Sequence, residues 1–232
     1  NVLTLSGTGT GASAAIATSG VVTLNISANL ALGGGNQTFY TASSGSLAIS
    51  GSIQGGSAAD TLTFDTSGIQ ASRAITLSGT SSFLARPIVN GFVFVNTFGS
   101  TGGVDSSNTA NSFTGPASVI RNGVLAIPMF GNVGNNSPLG RNGTINLSSN
   151  PAGDGQGTTL RFTGASETSN KTFALNFTTG TAILDAGSGS LTLTSTAAWA
   201  TLGAGAKGVM LQGSGTGSLA ASLTNTITGT GG

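Results

Sequence analysis

Leu47-Ala48-Ile49-Ser50-Gly51 sets two large apolar residues around one small residue and closes on Ser-Gly. Leu3-Thr4-Leu5-Ser6-Gly7 and Ile75-Thr76-Leu77-Ser78-Gly79 repeat the phrase, and Leu160-Arg161-Phe162-Thr163-Gly164 and Val209-Met210-Leu211-Gln212-Gly213 vary it. Val22-Thr23-Leu24, Leu62-Thr63-Phe64, Ile145-Asn146-Leu147 and Leu191-Thr192-Leu193 carry its first half without the glycine. Alternation of period two, bounded by glycine, marks a short strand with one buried face. Many copies in one chain indicate stacked repeats, so the pattern points to architecture before chemistry.

Around these phrases there is almost no helical periodicity. Ala197-Ala198-Trp199-Ala200 comes nearest and is too short to stand alone. Two all-β architectures fit: a parallel β-solenoid of stacked rungs, or an antiparallel pilin-like sandwich. Three observations favour the solenoid. The strand phrases are short, and two-residue hairpin signals are few (Asn90-Gly91, Asn122-Gly123, Asn142-Gly143). Asn, Ser and Thr recur beside the strands, where stacked rungs pair them like on like. Rungs of roughly 20 residues at about 4.8 Å each predict a rod on the order of 50 Å long. The glycines are expected at corners that need positive φ. Ile88 to Phe98 is the most apolar stretch and reads as a strand buried on both faces.

The composition agrees with a scaffold. The 232-residue chain is 38% hydrophobic, enough for a core within a single domain spanning 1–232. Only 6% of its residues are charged, against about 25% in an ordinary domain. Seven basic and six acidic residues give a net charge of +1 with no basic face, which argues against nucleic acid and anionic membrane as partners. No apolar run approaches the ~18 residues of a membrane helix, so no membrane insertion by this segment is expected. There is no Cys, hence no disulfide framework, and the absence is compatible with export. The first residues lack a signal-peptide pattern, and a start at Asn1 suggests a processed or internal fragment.

Asn111-Ser112-Phe113-Thr114-Gly115, Val119-Ile120 and Asn122-Gly123-Val124-Leu125 follow one another in a recognisable order. Ser137-Pro138-Leu139-Gly140, Gly143-Thr144-Ile145-Asn146-Leu147 and Leu160-Arg161-Phe162-Thr163-Gly164 continue it. This stretch, 111–164, resembles the autotransporter-associated β-strand repeat, also called the passenger-associated transport repeat, with Phe113 in place of the usual Tyr. The resemblance implies a right-handed parallel β-helix in a secreted or surface-attached passenger, and no enzyme activity. The family's outer-membrane barrel has no counterpart in these residues.

Catalysis fails on inventory. With neither His nor Cys, acid–base chemistry would fall to carboxylates or Lys. Asp60 and Asp65 flank Thr61 to Phe64 on opposite faces. Asp105, Asp154, Glu167 and Asp185 stand apart in Gly/Ser corners, where an acidic side chain commonly bonds its own backbone. Gly7-Thr8-Gly9-Thr10-Gly11 and Gly213-Ser214-Gly215-Thr216-Gly217 look like phosphate loops but lack the following helix, and Gly203-Ala204-Gly205-Ala206-Lys207 lacks the Ser or Thr after Lys. Gly153-Asp154-Gly155 has no repeating calcium nonapeptide around it. No catalytic residue, cofactor or metal is therefore assigned. Seven Asn-x-Ser/Thr sites, at Asn25, Asn36, Asn135, Asn142, Asn146, Asn170 and Asn176, are candidate glycosylation positions, with ordinary ladder or turn roles the simpler reading. Tyr40 and Trp199 could stack on sugars or fill a core.

Asn225-Thr226-Ile227-Thr228-Gly229 restarts the Asn-x-aromatic-Thr-Gly phrase, with Ile227 in the aromatic place. Joined tail to head, the chain would read as uninterrupted repeat, which nominates Asn1, Val2, Leu3, Leu5, Ile227 and Thr228 as an end-to-end interface. The expectation is an exported, cell-surface structural protein whose partner is itself, as homopolymer or tandem repeat. The competing expectation is an adhesin passenger binding surface glycans or a host protein.

Overall fold

The structure, a computed structural model, describes residues 2–5, 15–18, 23–33, 37–41, 46–55, 61–65, 74–78, 91–95, 103–106, 117–120, 124–148, 158–177, 180–202, 205–221 and 227–231. The described residues form strands and connections, with no helix among them. The chain repeats one circuit. The first three circuits are β1 (Val2–Leu5), β2 (Ile16–Thr18), β3 (Thr23–Ile26); β4 (Asn29–Leu32), β5 (Gln37–Thr41), β6 (Ser46–Ile49); and β7 (Ile53–Gly55), β8 (Thr61–Asp65), β9 (Ala74–Leu77). Next come β10 (Gly91–Val95) with β11 (Gly103–Ser106), and β12 (Ala117–Ile120) with β13 (Val124–Ile127). Three strands per circuit return with β14 (Thr144–Ser148), β15 (Thr158–Phe162), β16 (Ser166–Ser169); β17 (Thr172–Asn176), β18 (Gly180–Asp185), β19 (Ser190–Leu193); and β20 (Ala200–Leu202), β21 (Lys207–Gln212), β22 (Thr216–Leu219). β23 (Ile227–Gly231) follows.

Each circuit lays one strand on the same strand of the circuit before it. The result is an eight-stranded sheet from β2 to β20, a nine-stranded sheet from β3 to β23, and two three-stranded sheets, β1-β4-β7 and β16-β19-β22. Every described pair is parallel, so the antiparallel sandwich is excluded and the fold is a β-solenoid. Side chains bonded across neighbouring rungs lie 23 to 27 residues apart in several places. These rungs are longer than the 20 residues expected, so the rod is shorter: nine strands span about 38 Å.

Alternation turns one residue in two inward, and the register stacks them. In the nine-stranded sheet Leu24, Leu47, Ile75, Val104, Leu125, Leu160, Leu184 and Leu211 form one continuous column. Leu47, Ile75, Leu125 and Leu160 are fully buried, whereas Leu24 at one end is 38% exposed and Leu211 at the other 39%. The eight-stranded sheet carries a parallel column, with Ile16, Phe39, Phe64, Phe94, Val119, Leu147 and Leu175 in register. The apolar run at Ile88–Phe98 supplies β10, hydrogen-bonded to β8 on one side and β12 on the other; its side chains lie outside the described residues.

The glycine that closes the strand phrase is needed for space. A Cβ on Gly189 would overlap the carbonyl oxygen of Gly164, and one on Gly215 would overlap that of Gly189. Gly51 would collide in the same way with Ala28. None of these four has positive φ, so close approach of successive rungs is what they serve, whereas Gly213, which closes the phrase from Val209, has φ of 119° and is the left-handed corner expected. Hydroxyl pairs bridge rungs as anticipated, Thr23 to Ser46 at 2.8 Å and Ser190 to Thr216 at 2.9 Å.

Leu47→Ala, inside the column, should cost about 2–5 kcal/mol of stability in urea unfolding, while Leu24→Ala at its open end should cost less than about 1 kcal/mol. Equal costs would contradict the column.

Candidate functional site

The described polar chemistry gathers where the regular ladder is interrupted. Between β13 and β14 the chain makes a long connection, 128–143, at the point in the circuit where later rungs have a third strand. Its neighbour is β16, the first strand of its sheet. In β16 the inward positions, in register with Leu191 and Leu193, are Glu167 and Ser169. A carboxylate facing inward needs partners, and the connection provides them. Glu167 accepts hydrogen bonds from the Phe130 and Gly131 amides, both at 2.7 Å. The Ser169 hydroxyl donates to the Gly131 carbonyl at 2.6 Å. Asn132 and Asn170 complete the seam: the Asn132 Oδ1 accepts the Asn170 amide at 3.0 Å, and the Asn170 Oδ1 accepts the Val133 amide at 2.8 Å.

Lys171 closes the far side. It is 1% exposed, and its Nζ donates to the carbonyls of Gly140 and Asn142. Gly140 ends the Ser137-Pro138-Leu139-Gly140 turn, where the Ser137 hydroxyl donates to the Gly140 carbonyl at 2.8 Å and Leu139 is buried. Gly131, Gly134 and Gly140 do have positive φ, as this tight path requires. Beneath the connection Phe130 packs on Phe162 and Phe173 at 6.2 and 6.3 Å between ring centroids, and Phe173 on Trp199 at 4.7 Å. Burial lowers the Lys171 ammonium from 10.5 to about 8, partly opposed by the negative charge of Glu167.

A second group runs across three rungs. Arg161, Asp185 and Gln212 are in register. The Arg161 Nε donates to the Asp185 Oδ2 at 2.8 Å, the Gln212 amide nitrogen reaches the same oxygen at 3.4 Å, and the Gly187 amide donates to Oδ1 at 2.8 Å. Burial pushes the Asp185 carboxyl up; the bonds from Arg161, Gly187 and Gln212 outweigh it and hold the carboxyl below its ordinary range. Both described acidic clusters therefore fix backbone, and neither leaves a carboxylate aimed at a cleft.

The sequence-nominated residues fall as follows. Val2, Leu3 and Leu5 lie in β1, at the edge of a three-stranded sheet, with Leu3 48% exposed. Ile227 and Thr228 lie in β23, at the edge of the nine-stranded sheet, so the two groups sit in different sheets. Asn1 and Asn36 are outside the described residues, as are Asp60 and the Gly153-Asp154-Gly155 turn. Asp65 and Asp105 lie in β8 and β11 with side chains outside the description. Asn25, Asn135, Asn170 and Asn176 are exposed; Asn142 and Asn146 are half-buried. The Asn142 Oδ1 caps the Thr144 amide at 2.7 Å, a turn role. Trp199 is a core residue, and Tyr40 is half-buried on β5. Glu167, read as a corner residue, sits instead on a strand and bonds backbone 36 and 37 residues away. Asp185 does bond its own turn, at Gly187, as expected. Lys171 and the 128–143 seam were missed; the available signal was Ser166-Glu167-Thr168-Ser169, polar at strand spacing directly after Thr163-Gly164.

No family model, no curated protein and no solved structure matches this chain.

Lys171 is one of two lysines in the chain. The folded Lys171 deprotonates near 8 while the unfolded one keeps its proton to about 10.5. The unfolded state then binds more protons, and stability rises with pH across that window. The urea midpoint should climb from pH 8 to 10.5, and Lys171→Met should flatten the climb. Glu167→Gln, which puts an amide donor against the Phe130 and Gly131 amides, should cost about 1–3 kcal/mol in the same assay.

Proposed function

We propose that this chain is a non-enzymatic structural unit: a β-solenoid segment of an extracellular or cell-surface fibre, stalk or matrix filament that associates with itself end to end. The observation that carries the reading is the inward column of the nine-stranded sheet, whose described members are exposed only at Leu24 and Leu211. A core of that form gives length and stiffness at small cross-section, because each rung packs only on its neighbours. The polar groups support the same reading. Glu167, Lys171, Arg161 and Asp185 are spent on holding backbone and strands. The resemblance of 111–164 to the passenger repeat supports export, and the low charge favours association because little repulsion opposes contact. The unit uses no cofactor, and its partner is itself.

Two measurements test this. Antibody labelling of intact, unpermeabilised source cells should stain the surface, and purified protein in negative stain should show narrow rods of about 38 Å per unit. Staining confined to the cell interior, or compact globules, would overturn the reading. Separate rods that capture glycans would favour the adhesin.

A further inference from the structure

The two ends of the solenoid differ in a complementary way. In the first rung the inward positions carry large side chains. Leu3 and Leu5 are in register with the buried Leu30 and Leu32, and Leu24 with the buried Leu47, yet Leu3 and Leu24 are 48% and 38% exposed. At the other end the inward positions run to glycine. Gly217 of β22 is in register with Leu191, and Gly229 and Gly231 of β23 with Val209 and Leu211. The missing side chains leave a cavity of about 190 Å³ lined by Leu184, Leu191, Leu193, Leu211, Gly217 and Leu219.

Chain order sets what fits there. Each circuit visits the eight-stranded sheet, then the nine-stranded sheet, then a third strand. β23 belongs to the nine-stranded sheet, so the next strand in the circuit is a third strand laid on β22. β1 is a third strand, and its Leu3-Thr4-Leu5 repeats Leu191-Thr192-Leu193 of β19. Placed on β22 in the same phase, Leu3 comes opposite Gly217 and Leu5 opposite Leu219. β3 then follows on β23, with Leu24 over Gly231, the next position of its own column. Large meets small in both sheets, and both edges are parallel strands of the same sense, each presenting unpaired backbone groups that the other takes. Nothing repels: every Asp, Glu, Lys and Arg of the chain lies between Asp60 and Lys207.

We propose that a second copy of this chain seats its first rung on the last rung of the first copy, Leu3 entering the cavity above Gly217, in the register that continues the solenoid. This rests on the structural reading above and names its contact. The contact is heterologous, so it propagates into filaments rather than closing as a dimer.

The chain has no cysteine, which makes the register directly testable. In Leu3→Cys/Gly217→Cys the paired positions would lie within disulfide reach between copies, while within one copy they lie at opposite ends of the rod. Under a mild oxidant a reducible ladder of dimers, trimers and higher species is expected on a denaturing gel. Thr4→Cys/Gly217→Cys, half a pleat out of phase, should give severalfold less. Monomer alone, or equal ladders from both variants, would overturn the proposal. Gly217→Leu provides a test without cysteines, since a Cβ there meets only the Leu191 carbonyl at 3.9 Å. It should fill the cavity, keep the fold by circular dichroism and raise the concentration needed for assembly at least tenfold. Unchanged assembly would overturn the proposal, as would sedimentation of the unaltered chain as a 22.3 kDa monomer over about a hundredfold range of concentration. Surface-labelled protein that stays as single rods would defeat this contact and leave the stalk reading intact; interior labelling would do the reverse.

Discussion

Everything in this molecule depends on parallel strands being stacked in register. A parallel ladder joins each strand to one a whole circuit away, so inward and outward positions must keep phase over some two dozen intervening residues. A slip of one residue would turn a column of leucines to solvent. Phase is kept at the corners. Gly164, Gly189 and Gly215 stand one above another, each so close to the next that a methyl group would strike a carbonyl oxygen. The small residue lets the corners follow the spacing that the strands impose. The apolar column and the glycine column are thus two results of one constraint.

Where the ladder is broken, the chain substitutes side chains for strand. The 128–143 connection presents amides and carbonyls to the edge of β16 without strand pairing of its own. Glu167, Ser169, Asn170 and Lys171 reach across and bond them, doing for an irregular segment what an adjacent strand would do. An inward Glu among stacked leucines would be costly unless paired. Here two backbone amides and a nearby ammonium compensate it. Beneath the seam Phe130, Phe162, Phe173 and Trp199 form a buried aromatic cluster.

Much of the fold was legible because the constraint writes itself locally. Leu47-Ala48-Ile49, Ile145-Asn146-Leu147 and Leu191-Thr192-Leu193 are all strands, with the flanking apolar residues buried. What lay beyond reach was long in range. Rung length was underestimated, because the connections between phrases carry no periodicity from which to count. The phrase-ending glycine serves left-handed φ at Gly213 and close approach at Gly51 and Gly164; both demand the same residue, and only the neighbouring rung tells them apart. Glu167 looked isolated, and Lys171 drew no reading, because their partners are 29 to 37 residues away. A polar residue at strand spacing gives no sign of whether its strand lies at a regular edge or at a break.

The placement of charge follows from the same division. All thirteen Asp, Glu, Lys and Arg residues lie in the interval from Asp60 to Lys207. Arg141, Arg161, Glu167, Lys171 and Asp185 sit at or beside the 128–143 seam and the turn at Asp185–Gly187, while Lys207 is buried at the start of β21. The first two rungs and the last two strands carry no charge at all. A solenoid built this way uses ionic side chains as repairs to irregular backbone. The rungs away from those breaks stay neutral and apolar at their described inward positions, as at Leu30, Leu32, Leu47 and Ile49.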